Sequence, residues 1–215
     1  MRTITATLAA LAFTLTACGG SDSKGPTEPA QAQTILAVTI TTSSIVSGTS
    51  EQAVANMVTG ANSSAATNVQ WTSSNSDVAK VDGNGLVTGS RAGSAVIRAT
   101  SGGKTGTVTV SVLPGAAVKV VVYIGDGQSA VAGSGLSEPL CTNVLDAANN
   151  RIIGALVTYT VTTGRGQIIG ASEASTDGAG ISTSGTWILG PDVGVQTVTA
   201  TSAGATPIVF SAIAK

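Results

Sequence analysis

Histidine is absent from all 215 residues. That absence removes the usual general base, the commonest transition-metal ligand and the side chain that titrates near neutral pH. Charge is sparse as well: 10% of residues are Asp, Glu, Lys or Arg, the net charge is −1, and no run of like charges occurs. Nucleic-acid binding, which needs clustered Lys and Arg near aromatic rings, is therefore excluded from the expectations. Aromatic residues make up 3% of the chain, which leaves Trp71, Trp187, Tyr123 and Tyr159 for any sugar-stacking strip. Glu, Lys and Leu are scarce beside Thr, Ser, Gly, Val and Ala. Such a balance disfavours helices and favours short strands joined by tight turns. The chain is long enough for one large or two small domains.

The N-terminus reads as an address. Met1 to Ala17 is MRTITATLAALAFTLTA, one Arg followed by a short apolar run and then small residues. It is too short for a permanent span and has the anatomy of an export signal. Leu15-Thr16-Ala17-Cys18 resembles the lipobox of bacterial lipoproteins, in which the signal is removed before a cysteine that receives a diacylglyceryl group. The alternative is a plain cysteine beside an ordinary cleavage site. Under the resemblance Cys18 is the lipid attachment site and the membrane is a partner through that lipid. Each buried methylene contributes about 0.8 kcal/mol, so two or more acyl chains hold firmly where one does not. Gly19, rather than Asp, follows the cysteine, which implies the outer membrane if the host is Gram-negative. Residues 18–34, CGGSDSKGPTEPAQAQT, carry almost no large apolar side chain and form the expected flexible tether. As a coil they reach roughly 20–25 Å.

From Ile35 onward the apolar period is two. In KTGTVTVSV, Val108, Val110 and Val112 share one face while Thr105, Thr107 and Thr109 share the other; VTYTV repeats the pattern with Val157, Tyr159 and Val161. Each run ends in Gly, Ser, Asn or Pro, a spacing that predicts antiparallel sandwiches. Within VQWTSSNSDVAKVDGNGLVTG, Trp71 alternates with Val69 toward a core and Ser73 to Asp77 makes a polar corner. Val78 to Val81 then form a short strand, Asp82-Gly83-Asn84-Gly85 supplies the positive-φ residues of a hairpin, and Leu86-Val87 begins the next strand. This stretch, continued by AGSAVIRATSGGKTGTVTVSV, resembles the bacterial immunoglobulin-like group 2 family over about Thr34 to Leu113. EQAVANMVTGANSSAATN, rich in Ala and Asn, is less regular than that family's second strand and loop.

Leu113-Pro114-Gly115-Ala116 marks a boundary, since Pro interrupts a ladder and a new strand series begins at VKVVVYIG. So short a linker predicts semi-rigid domains in tandem. The second half resembles invasin/intimin-type, or group 1, bacterial Ig-like domains. That resemblance rests on Pro139 to Asp146, the turn at Asn149-Asn150, Val157 to Val161, Thr176-Asp177-Gly178 and Thr197 to Thr201. The expected organisation is all-β: a signal peptide at 1–17, a tether at 18–34, and tandem Ig-like β-sandwiches at 35–113 and 117–215. Cys141 has no cysteine partner within either sandwich, and its alternation allows either a small buried hydrophobe or an exposed thiol able to dimerise.

The polar residues form no motif that points clearly to catalysis. Ser101-Gly102-Gly103-Lys104 fits S-x-x-K, but that pair needs a helix start to orient the lysine, whereas these residues read as a turn between strands. Asp82, Asp126, Asp146, Asp177 and Asp192 fall at turns, where a carboxylate accepts backbone N–H bonds by default, and no spacing converges two of them on a cleft. Asp82 and Asn84 are the weighed calcium donors, yet no Glu completes a cage, so no metal is expected. GDGQ and GRGQ lack the third glycine and the strand-to-helix setting of a dinucleotide site, and no cofactor is expected. The resemblances imply a non-enzymatic surface lipoprotein of the bacterial envelope, on the outer membrane or facing outward, used for adhesion, interaction or display. Its ligand-binding residues are unknown from sequence; a surface protein or a polysaccharide is the ligand class implied. Carbohydrate or cell-wall binding and a ligand-free spacer are the alternatives, since fold alone does not choose a function.

Overall fold

The computed structural model describes residues 32–215. The signal peptide, the lipobox residues Leu15, Thr16 and Ala17, Cys18, and all of the tether but Ala32 to Thr34 lie outside the described residues. Gln33–Lys215 forms one compact unit. Among the described residues every regular element is a strand, as expected for an all-β chain.

The first nine strands are β1 (Thr34–Ile40), β2 (Ser44–Val46), β3 (Ser50–Thr59), β4 (Asn62–Ala65), β5 (Gln70–Ser73), β6 (Ala79–Val81), β7 (Leu86–Gly89), β8 (Gly93–Ser101) and β9 (Lys104–Leu113). They make two sheets, one ordered β1-β3-β7-β6 with β4 added to β3, the other β2-β9-β8-β5. Alternation places one face of each inward: Val110 and Val112 of β9 are buried while Thr105, Thr107 and Thr109 face solvent. Ile45, Ala53, Val87, Ala95 and Ile97 close the space between the sheets with them. Trp71, half-buried, bridges this cluster to a smaller one around Leu36, Ala55 and Ala99. The irregular stretch after Ser50 folds as the β3/β4 hairpin.

The remaining strands are β10 (Lys119–Ile124), β11 (Gln128–Ala130), β12 (Cys141–Leu145), β13 (Leu156–Val161), β14 (Gln167–Ile169), β15 (Glu173–Ser175), β16 (Ile181–Thr183), β17 (Thr186–Ile188), β18 (Gly194–Thr201) and β19 (Ile208–Ala214). Sheets β10-β12-β16 and β11-β19-β18-β13-β15 carry the second sandwich, with β14 and β17 paired beside them. Its core gathers Trp187, Phe210, Tyr159, Leu140, Leu189, Val144, Val157 and Val198. None of the named strand pairings joins β1–β9 to β10–β19.

The pairings follow the expected antiparallel sandwiches except at two short strands. β2 runs parallel to β9, and β11 runs parallel to β19. In both sandwiches the first strand pairs antiparallel with one sheet, and the chain then crosses to the other without reversing. It therefore lands parallel to that sandwich's last long strand. The two halves share this device although their sequences are not close repeats.

The crossing brings β1 tightly onto β9 at Gly106. A β-carbon there would collide with the Leu36 carbonyl oxygen and sit 2.9 Å from Val38 Cγ2. Gly106→Ala is expected to destabilise the protein by about 1–3 kcal/mol in urea unfolding, as overpacking of a rigid backbone does. Gly83→Ala, with nothing within 4 Å, serves as the near-neutral control; equal stability of the two variants would contradict this packing.

Candidate functional site

Three tight turns hold three of the five carboxylates that the sequence singles out, and they are built alike. Asp82 Oδ1 accepts the N–H groups of Asn84 (2.9 Å) and Leu86 (2.8 Å). Asp146 Oδ1 accepts those of Ala148 (2.9 Å) and Asn150 (2.8 Å). Asp177 Oδ1 accepts those of Ala179 (2.8 Å) and Ile181 (3.0 Å). In each the aspartate carbonyl also accepts the N–H three residues on, from Gly85, Asn149 and Gly180, and that residue has positive φ, at 83°, 64° and 74°. This is a turn followed by one left-handed residue, a common way to close a hairpin. Of the residues in Asp82-Gly83-Asn84-Gly85, only Gly85 has the positive φ expected of the group. A side chain at Gly85 would also meet Trp71 at 2.9 Å.

The other candidates are likewise absorbed by structure. Ser101 and Lys104 face each other across the β8/β9 hairpin, with Gly102 and Gly103 both at positive φ. The Ser101 hydroxyl donates to the Thr67 carbonyl at 2.6 Å, so it does not face the lysine as a nucleophile faces its base. Asp126 accepts the backbone and hydroxyl of Ser211 at 2.7 and 3.2 Å. Asp192 forms a two-pronged exposed ion pair with Arg165. The glycines of GDGQ and GRGQ serve turns: Gly125, Gly127 and Gly164 have positive φ, as does Arg165. Among the described residues no three His, Cys, Asp or Glu side chains gather at a metal site.

The aromatic residues mostly point inward. Trp187 is wholly buried, its indole N–H without a partner, a cost of about 1–3 kcal/mol that its packing must offset. Tyr159 is buried and donates its hydroxyl to the Ser182 carbonyl at 3.0 Å. Burial pushes that phenol above its ordinary range, against the opposing hydrogen bonds of Ser182 and Thr142. Tyr123 is exposed, with the Arg151 guanidinium 5.7 Å from its ring centre. Cys141 is buried, its sulfur 3.4 Å from Thr183 Oγ1, which rules out the exposed, dimer-forming thiol in this fold.

Asp146 stands apart from the other two turn aspartates. It is 1% exposed, and its second oxygen accepts Gly115 N–H and the Asn150 side-chain amide, both at 2.8 Å. Burial alone would raise its pKa, but the donors of Gly115, Asn150 and Ala148 hold the carboxyl below its usual value. A depressed value of this kind stabilises the fold above the ordinary carboxylate range, and the contribution fades as pH falls through the lowered value. Asp177 is also depressed, by the Ile181 and Ala179 amides. Asn150, 8% exposed, is the residue that sequence reasoning missed as more than a turn position. Its Oδ1 accepts Ala92 N–H at 2.9 Å, and its Nδ2 donates to Ser47 Oγ at 3.1 Å. Both partners belong to the first sandwich.

Residues 34–112 match the family model described as Bacterial Ig-like domain (group 2). No curated protein matches the chain. Among solved structures, the Escherichia coli adhesin FdeC is similar over 85% of this chain at 15% identity and a TM-score of 0.49. This chain spans 65% of that one, less than two thirds. The D00-D0 domain of Intimin is similar at 16% identity, over 82% of this chain and 99% of that one, with a TM-score of 0.46. Domains 4 and 5 of the S-layer protein SbsC are similar at 19% identity, over 86% of this chain and 99% of that one, with a TM-score of 0.38.

The left-handed residue makes a direct test of the turn geometry. Asn149→Val is expected to lower unfolding free energy by about 1–2 kcal/mol, because a β-branched side chain is poorly accommodated at positive φ. Asn149→Gly should leave it unchanged or slightly raised; equal effects of the two in thermal melts would contradict the assignment.

Proposed function

We propose that this chain is a non-enzymatic surface module of the bacterial envelope, anchored by lipid at Cys18 and displaying two Ig-like sandwiches at 35–113 and 117–215, the second of invasin/intimin type. The observation that carries the reading is the match of residues 34–112 to the bacterial Ig-like domain family. The geometry supports it: the polar groups that chemistry would need are spent on local structure, as with Ser101 on the Thr67 carbonyl and Asp82, Asp146 and Asp177 on backbone amides. What remains for recognition is surface. The outward face of β13, β18 and β19 offers exposed Val195, Val209 and Ile213 beside Thr160 and Thr201, a mixed apolar and hydroxyl surface suited to an extended protein or polysaccharide rather than to a small substrate held in a cleft. Adhesion or interaction is the function proposed for that surface. Carbohydrate stacking is the weaker reading, because Trp187 and Tyr159 are buried and Trp71 is half-buried.

Two measurements on cells making the full chain test this proposal. The protein should fractionate with membranes and incorporate labelled fatty acid, whereas Cys18→Ser should lose both properties; membrane retention of the Cys18→Ser protein without label would overturn the anchor. Cells displaying the anchored protein should bind saturably to one class within a panel of matrix proteins, peptidoglycan and polysaccharides. Silence across the panel from correctly displayed protein would contradict the adhesive role and favour a spacer.

A further inference from the structure

β9 ends at Leu113 and β10 begins at Lys119, so five residues join the sandwiches. A connection of that length, acting alone, leaves several soft backbone angles free to swivel. The hydrophobic cores of the two sandwiches do not merge, since their clusters share no member. Hydrogen bonds do cross the junction, and they converge on one side chain.

Asn150 can accept through Oδ1 and donate twice through Nδ2. Its oxygen takes Ala92 N–H at 2.9 Å, from the approach to β8. One N–H of its nitrogen goes to Asp146 Oδ2 at 2.8 Å, and the other is shared between Ser47 Oγ at 3.1 Å and the Ser90 carbonyl at 3.4 Å. Ser47 Oγ in turn donates to the Ser90 carbonyl at 2.8 Å. Asp146 Oδ2 accepts the linker amide of Gly115 at 2.8 Å. Two loops of the first sandwich, the linker and a turn of the second are thus tied to two adjacent, buried side chains. Removing one member of such a network leaves the others unpaired and out of water, which makes it cooperative.

We propose that Asn150, held in place by Asp146, is an interdomain latch that fixes the angle between the sandwiches and makes them move as one rigid body. This inference goes beyond the proposed adhesive role and does not depend on any ligand. The latch is directional, unlike an apolar contact: it holds at one relative orientation, and losing Asn150 turns the linker into a hinge. Asp146 serves as the positioning residue, since its carboxylate fixes both the Asn150 backbone and its amide.

The test uses the full chain, purified in detergent, with spin labels at Thr107→Cys and Thr160→Cys, one exposed site in each sandwich. Pulsed-dipolar spectroscopy should give a single narrow distance distribution. Asn150→Ala should broaden it about twofold or more as the linker takes over, and Ser47→Ala, which leaves the second sandwich untouched, should broaden it by a smaller amount. Circular dichroism establishes that each variant is folded; if Asn150→Ala is not, Ser47→Ala decides. A distribution as narrow as that of the parent chain in every folded variant would overturn the latch.

Discussion

A carboxylate taken almost wholly out of water demands compensation, and at Asp146 four donor N–H groups supply it. Much of the second sandwich's attachment follows from that one requirement. The backbone donors of Ala148 and Asn150 shape the turn after β12; the side-chain donor orients Asn150; the Gly115 donor draws in the linker. With its amide so placed, Asn150 meets Ala92 and Ser47 of the first sandwich. Without the carboxylate the turn would lose its template, and the amide would have no fixed direction. Asp82 and Asp177 template the same turn, the first within the β6/β7 hairpin and the second where the chain passes from β15 to β16 in the other sheet.

Neither sandwich has a disulfide to rely on. Each depends on β-branched and aromatic side chains alternating inward and on an opening pair of strands, β1 and β2 or β10 and β11, that joins one sheet and then the other. That crossing adds a three-residue strand along the edge of the last long strand, β2 on β9 and β11 on β19. It also explains why Gly106 must lack a side chain and why two short strands run parallel in otherwise antiparallel sheets. Function is left to the outward faces, because the inward ones are consumed by packing and the turns by their own carboxylates. On the proposed reading recognition would fall to those surfaces, and the proposed latch at Asn150 would set how the two of them are oriented.

The sequence foretold a large part of this, for a physical reason: period-two alternation reports one buried face regardless of what lies on the other side. Val108, Val110 and Val112, and likewise Val157 and Tyr159, could be assigned inward from spacing alone. The aspartate turns were recognisable from composition, and comparing DGNG, DAAN and DGAG would have exposed their common geometry. β2 and β11, three residues each, are too short to show a period, and their parallel pairing is decided by the crossing. Cys141 was ambiguous because both faces of β12 are covered, which no alternation reveals. Asn150 was legible as a turn residue only. Its decisive partners lie 58 and 103 residues away in the chain, and one side chain's contact with a distant loop leaves no local pattern.

Hydrogen exchange at the Ala92 amide tests this account most directly. That N–H lies in an exposed bend of the first sandwich, and its partner is Asn150 Oδ1 of the second. The account predicts exchange far slower than that of an open loop, with Gly115 and Asn150 amides protected alongside it. Exchange of Ala92 at the rate of a solvated loop, in a chain whose strand amides remain protected, would contradict it.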